Sequence, residues 1–294
     1  MSSAVRVGDA LQGELVRLGD HSYYVHSDVE AAANAGFVVG EHTTLVVDTR
    51  LTPTLGADLR KLAERAGAAV DAAEPQGAAG GPRELWFVNT HFHGDHCFGN
   101  SAFADCLGFA SHNSNAELAR SWERQVDSFA GRRPYLREQL AGADPVLPSV
   151  TFEGTLALDL GGVTVELETV GQAHTDSDLV VKVPADGVVY AADLLYHGHW
   201  PVLKYGDYAT WMAALDELER SEQYTFFVPG HGVGGGKEVV RAVQGSWELL
   251  FAQAQGDGAE EDVTAAIERS AYAGWLRRER VPDVVQQLRA ERRG

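Results

Sequence analysis

Thr90-His91-Phe92-His93-Gly94-Asp95-His96 is the stretch on which the reading of this chain turns. Its pattern, His-x-His-x-Asp-His, puts three imidazoles and a carboxylate within six positions. The apolar run Leu85-Trp86-Phe87-Val88 leads into it, and a helical apolar pattern covers 97–103. Strand, tight loop and helix form a context in which several side chains can be aimed at one point. Gly94 is expected to allow a sharp backbone turn there. The whole chain has only 11 histidines. Three of them in one loop point to a metal or a catalytic task rather than to a polar surface loop.

Working outward, three more residues of ligand type follow apolar strand signals: His174 after 163–170, Asp193 at the end of 188–192, and His231 behind Pro229-Gly230. Strand ends on one edge of a sheet converge, so distant residues can share a site. With the first motif this makes five His and two Asp, a set that suits two metals. His91, His93 and His174 would form one site, and Asp95, His96 and His231 the other. Asp193, with two carboxylate oxygens, could bridge them. Imidazole and carboxylate together suit zinc first, with iron, manganese and cobalt also accepted by such ligands.

The remaining patterns supply the scaffold. Alternating runs over 11–18, 22–26, 35–40 and 43–48 predict strands, with a hairpin across Glu41-His42. Residues 53–67 fit an amphipathic helix with Gly67 as its C-cap. The Ala-, Gly- and Pro-rich 71–82 reads as a surface loop. After the strand at 107–110, Asn113 or Ser114 is the expected N-cap of a helix to about residue 129. A second helix runs to about 140, and the whole of 113–148 reads either as a lid or pocket wall over the site or as a peripheral insertion. Strands at 155–158, 163–167, 179–183, 188–192 and 225–228 alternate with a helix over 208–220 capped by Asp207. From Lys237 the pattern is helical, broken near Gly256-Asp257-Gly258 and Pro282. Strands then helix, twice over, predicts a four-layer αββα sandwich: one α/β domain over 1–294, with a helical insertion and a helical C-terminal extension from about 237.

Composition narrows the partners. The chain has 294 residues with 42 Asp and Glu against 24 Lys and Arg, a net charge of −18. Such a surface repels phosphate backbones, so nucleic acid is not an expected partner. There is no run of about 18 apolar residues and hence no expected membrane span. The first 18 residues lack a signal-peptide core, which makes the cytoplasm the expected location. Two cysteines, Cys97 and Cys106, cannot make a disulfide framework and read as small buried residues. Nothing in the pattern sets the oligomeric state.

The ordered set His91-x-His93-x-Asp95-His96, His174, Asp193 and His231 resembles the metallo-β-lactamase fold superfamily. The resemblance spans roughly 20–235 and extends to Asp48 at a strand end, Gly99-Asn100, Ala192-Asp193-Leu194 and Pro229-Gly230-His231-Gly232. It implies the αββα fold of the metallo-β-lactamase type and a binuclear metal site. A bridging Asp at 193 is similar to the glyoxalase II, lactonase and related hydrolase branches, whereas the β-lactamases usually lack it. Antibiotic hydrolysis is therefore not the first expectation. The segment 199–207 resembles the broad hydrolase and cyclase-like members, including cyclase–thioesterases of aromatic polyketide pathways.

The expected chemistry is hydrolysis of a thioester, lactone or ester of a small molecule or carrier-bound acyl group. Two divalent ions, zinc first, would lower the pKa of a shared water from about 15.7 toward 7 so that it attacks the carbonyl as hydroxide. Asp95 could orient this nucleophile. Tyr196 and His197, with His199 and Tyr205, follow the bridging Asp and could donate to the oxyanion or the leaving group. Trp200 is either pocket lining or core filler. Three other readings remain: a polyketide cyclase or thioesterase-like pathway protein, a mononuclear iron oxygenase acting on a persulfide, and a nuclease. The complete ligand set counts against the oxygenase, and the acidic balance against the nuclease.

Overall fold

A computed structural model describes residues 4–5, 13–27, 29, 31–73, 82–256 and 260–291. Eight strands form one sheet in sequence order: β1 (Ala4–Val5), β2 (Gly13–Arg17), β3 (Ser22–Ser27), β4 (Ala35–Val39), β5 (Thr43–Val47), β6 (Glu84–Val88), β7 (Leu107–Ser111) and β8 (Val150–Phe152). A second sheet holds β9 (Thr155–Asp159), β10 (Thr164–Gly171), β11 (Asp178–Val183), β12 (Val188–Tyr196) and β13 (Phe226–His231), in the order β13-β12-β11-β10-β9. The pairing turns parallel from β5 through β8 and again between β12 and β13.

The side-chain alternation explains why both faces of the central strands are apolar. Val38, Leu45 and Val47 meet Leu167, Val181 and Tyr190 between the two sheets. Phe37, Val39 and Val46 face the other way, onto Leu59, Leu62 and Ala63 of α1 (Pro53–Ala73). On the far side, Val180, Val189 and Phe227 pack against Trp211, Trp247 and Val284. Those belong to α5 (Tyr208–Arg220), α6 (Lys237–Gln255) and α8 (Val281–Glu291), with α7 (Glu260–Glu268) beside them. Helix, sheet, sheet and helix are thus four stacked layers, as the period-2 and period-3.6 patterns require.

Several local expectations change. α1 does not stop at Gly67 but continues to Ala73. A Cβ at Gly67 would stand 2.4 Å from the Arg83 side chain, so this glycine makes room for Arg83 rather than capping. Residues 11–12 of the first expected strand and 74–81 of the expected loop lie outside the described residues. The expected helix over 97–103 is instead a short turn, α2 (Gly94–Cys97), followed by a 3-10 turn over Phe98–Phe103. Gly94 has no unusual backbone; a Cβ there would stand 2.2 Å from the Phe98 ring, so close packing is its reason. α3 (His112–Arg132) is capped not by Asn113 or Ser114 but by Ser111, whose Oγ accepts from the Ser114 amide at 3.2 Å. Ser111 ends β7 in an extended conformation, which an N-cap needs. Asp207 caps α5 as expected, accepting from the Thr210 amide at 2.8 Å. Pro282 opens α8 rather than breaking a helix, in the first turn where its missing N–H costs nothing.

The insertion is placed by its own apolar face. Leu118 and Trp122 of α3, with Leu136 and Leu140 in and after α4 (Tyr135–Gln139), cluster with Phe92, Cys97 and Phe98 of the His-rich loop. Gln125 closes the contact, accepting from the Gly94 amide at 2.8 Å and donating to the Phe92 carbonyl at 3.0 Å. The insertion is therefore a wall standing against the ligand loop.

Candidate metal centre

Five segments leave their strands at one edge: after β5, after β6, after β10, within β12 and at the end of β13. They bring together all seven sequence-identified side chains in two groups. In the first, His91 Nε2 and His174 Nε2 each lie 3.1 Å from His93 Nδ1. In the second, His231 Nε2 lies 3.3 Å from Asp95 Oδ2, with His96 alongside.

Asp193 stands between the groups and divides its oxygens. Its Oδ2 is 3.3 Å from His174 Nε2 and 3.8 Å from His91 Nε2. Its Oδ1 is 3.1 Å from His96 Nε2 and 3.6 Å from His231 Nε2. Two backbone features aim it. β12 does not end before Asp193 but runs on to Tyr196, with register shifts on either side of Ala192. Ala192 has φ of 47°, a left-handed conformation that costs a residue with a Cβ about 1–2 kcal/mol. Such irregularities re-aim a side chain next to a site. Gly230 then clears the space: a Cβ there would stand 1.9 Å from Asp193 Oδ1.

The outer nitrogens are tied down by partners that leave the inner ones facing the site. His174 Nδ1 meets the Val202 carbonyl at 3.2 Å, and His96 Nδ1 meets Asp48 Oδ2 at 2.7 Å. A ring that donates from one nitrogen presents a lone pair on the other, which is what a cation needs. Asp48 also accepts from the Thr90 amide and hydroxyl, both at 2.8 Å. Asp178 accepts from the His174 and Thr175 amides at 2.6 and 2.8 Å, fixing the turn that carries His174. Asn34 donates to the Pro229 and Gly232 carbonyls, both at 2.8 Å, on either side of His231.

Burial decides most of the protonation. It pushes His93 down to about 4 and His174 to about 3, and His91 lower than its ordinary range. Burial raises Asp95, but the His231 hydrogen bond and the charge of His96 outweigh it and hold the carboxyl below its usual value. His96 goes the other way: Asp193 and Asp48 overcome burial and raise it well above an ordinary imidazole.

The donor set fits a divalent ion. His96 Nε2 and Asp193 Oδ1 are buried and have no hydrogen-bond partner among the described residues, although they lie 3.1 Å apart. A buried polar atom left unmatched costs about 1–3 kcal/mol. Two such atoms facing one point are the arrangement that a cation resolves.

The other expected residues divide. The Tyr196 hydroxyl donates to Asp193 Oδ2 and its ring stacks on His231, centroids 5.1 Å apart. His197 reaches the cavity wall, with Nδ1 fixed on the Val233 carbonyl at 2.7 Å. His199 also lines the cavity, and burial pushes it down to about 4. Trp200 does not line the pocket: it is fully buried and packs between Tyr272 and Trp275. Cys97 is buried and Cys106 only partly so. Asn34, Gln125 and Asp178 escape sequence reading, because each acts through a backbone group of another segment or turn.

The family model of the metallo-beta-lactamase superfamily matches residues 29–231, more than half of the chain, and the chain belongs to that superfamily. A metallo-beta-lactamase type 2 of Bacteroides fragilis is 22% identical over 158 residues, which cover 52% of this chain and 55% of the relative. The match thus spans about half the length of that curated relative. Among solved structures, the metallo-beta-lactamase from Pontibacter korlensis has a TM-score of 0.54 at 15% identity, covering 84% of this chain and 99% of its own. VMB-1 has a TM-score of 0.57 at 17% identity, covering 81% and 97%. These structures share the fold. The superfamily is largely one of hydrolases that bind divalent metals, and the His and Asp groups here are of the kind that hold them. Among the described residues no helix is long and apolar enough to cross a membrane.

Proposed function

We propose that this chain is a binuclear metallohydrolase that opens a thioester, lactone or ester carbonyl of a small molecule or carrier-bound acyl group. One observation carries the reading: the two oxygens of Asp193 face two different ligand groups, within 3.3 Å of His174 and 3.1 Å of His96. His91, His93 and His174 would hold one divalent ion and Asp95, His96 and His231 the other, zinc being the first choice for this donor set. Ions held there supply an acidified water and a Lewis acid for the carbonyl.

The chain's own groups do the positioning. Asp95, kept ionised by His231, is available to accept a hydrogen bond from the attacking water and orient it. Tyr196, already donating to Asp193, holds that carboxylate in place and has its hydroxyl beside His174 Nε2 at 3.5 Å. The α3 wall packs against Phe92 and so fixes one side of the opening over the centre. The relatives' names put a β-lactam amide among the substrates to test, but an Asp at 193 resembles the glyoxalase II and lactonase branches, which puts esters, thioesters and lactones first.

The test is a panel of thioester, lactone, ester, β-lactam and phosphodiester substrates on zinc-reconstituted protein, with His93→Ala and Asp193→Ala as controls. Turnover of a thioester, lactone or ester, abolished in both variants, is expected. Turnover of only the phosphodiester or only the β-lactam, or full activity in either variant, overturns the reading.

A further inference from the structure

The cavity over the two ligand groups has a volume of about 1020 Å³, at the upper end of the roughly 300–1,000 Å³ of small-molecule sites. Arg124, Arg132, Arg133, Lys204, Arg277 and Arg280 line it. These are six of the 24 Lys and Arg in a chain of net charge −18. Among the described residues the acidic groups on the wall are Asp95, Asp193, Glu279 and Asp283. The cations come from three segments: α3, the loop after β12, and the turn before α8. Arg277 lies 3.9 Å from Glu279, but gathering so many like charges from separate segments still costs energy that a bound anion would offset. At Arg132, burial first and then Arg133, Arg280 and Arg277 push the guanidinium below its ordinary value, against the opposing charge of Asp95.

Two of the six are held in place by packing. Arg280 lies over the Tyr196 ring, 5.4 Å from its centroid, and donates to the Trp200 carbonyl at 3.0 Å. Tyr196 in turn stacks on His231. Arg132 lies over Phe129 at 5.2 Å and donates to the Ser128 carbonyl at 3.2 Å. Guanidinium groups placed in advance lose less freedom when they bind a planar anion. The layering of Arg280, Tyr196 and His231 puts this wall on the Asp95/His96/His231 side of the centre. Beside it, Val233 and Leu276 are 55% and 59% exposed, apolar rim for an uncharged stretch of ligand.

We propose that the face formed by Arg132 and Arg280 is an anion subsite, so that the substrate carries a carboxylate or phosphate on its leaving-group half. The leaving-group assignment rests on the hydrolase reading above; the anion subsite itself does not.

The test uses ligands that cannot be hydrolysed, on the full-length holoprotein, by calorimetry. S-methyl coenzyme A is compared with neutral S-methyl pantetheine, and N-acetyl-S-methylcysteine with its neutral amide. The first pair reads phosphate and the second carboxylate. In at least one pair the anion should bind about tenfold or more tightly, with a preference that shrinks as salt is raised. Arg132→Gln and Arg280→Gln should each cut that preference at least threefold, and Arg→Lys at either position should restore part of it. Thermal unfolding reports whether each variant is folded. Should Arg280→Gln not fold, Arg132→Gln on the exposed face of α3 decides alone. Equal binding of charged and neutral members in both pairs, or a preference that survives in every folded Gln variant, overturns the proposal. An anion preference without any acyl hydrolysis would sink the hydrolase reading and leave the subsite standing.

Discussion

Replacing Asp48 with asparagine isolates the contribution of a residue outside the two metal-competent groups. Asp48 is 3% exposed. Its Oδ1 accepts from the Thr90 amide, and its Oδ2 from the Thr90 hydroxyl and His96 Nδ1, at 2.7–2.8 Å. An amide of the same shape keeps one oxygen. If that oxygen stays on the Thr90 amide, its NH2 faces the Thr90 hydroxyl and the N–H of His96, donor against donor. His96 must then move its proton to Nε2, the nitrogen that faces Asp193, and loses the lone pair a metal needs. Loss of such an outer partner typically weakens metal binding 10–100-fold, or about 1.4–2.7 kcal/mol at 1.4 kcal/mol per tenfold. The fall should be larger at that site, because in the other group His174 is oriented independently by the Val202 carbonyl and only His91 is linked to Asp48, through the Thr90 hydroxyl at 3.2 Å. Competition of Asp48→Asn with a chromophoric chelator for zinc reads the two binding steps separately. One step weakened by 10–100-fold, with the other within about threefold, is the expected result. Two unchanged steps would refute the reasoning, and two equally weakened steps would mean that Asp48 supports the fold rather than His96.

Gly230→Ala should displace Asp193, since the new methyl would stand 1.9 Å from its Oδ1. Displacement of the shared carboxylate should reduce bound metal to at most one ion per chain and hydrolysis by at least about 10²-fold, the cost of a misplacement near 1 Å; plasma emission analysis and the substrate panel check both, and two retained ions would contradict it. The metal-free protein should lose stability in acid. Burial holds His93 at about 4 and His174 at about 3 and lowers His91 as well, while the unfolded imidazole titrates near 6.5. These histidines favour the fold fully above about pH 6.5, and that contribution is lost as the pH falls toward 4 and 3. His96, raised by Asp193 and Asp48, works in the opposite sense: its contribution is full below about pH 6.5 and is lost as the pH rises. Asp178, raised by burial to about 6, also works in the opposite sense, which leaves two groups against three. The urea midpoint with chelator present should therefore be lower at pH 5 than at pH 7.5; an equal or higher midpoint at pH 5 contradicts this.

The layered fold was legible because its strands are either alternating or uniformly apolar and its helices carry one apolar face. The convergence of the seven side chains was legible because each lies at or just beyond an apolar strand run, and a sheet edge gathers the loop residues that its strands deliver. Boundaries failed where tertiary packing overrides a local signal. Gly67 reads as a cap until Arg83 is seen crossing it, and Gly94 reads as a turn until Phe98 is seen against it. The cap of α3 falls at Ser111 because β7 delivers it already extended. Asp193 reads as a strand end, but the bulge at Ala192 lets β12 continue while turning the carboxylate inward. Arg132 and Arg280 have no local pattern at all: their meeting depends on how the insertion and the C-terminal segment fold over the same opening.

Anomalous diffraction at the zinc edge, on crystals of the zinc-loaded protein, tests the central claim most directly. Two peaks are expected, one among His91, His93 and His174 and one among Asp95, His96 and His231, each next to a different oxygen of Asp193. A single peak, or peaks away from Asp193, would contradict a binuclear centre.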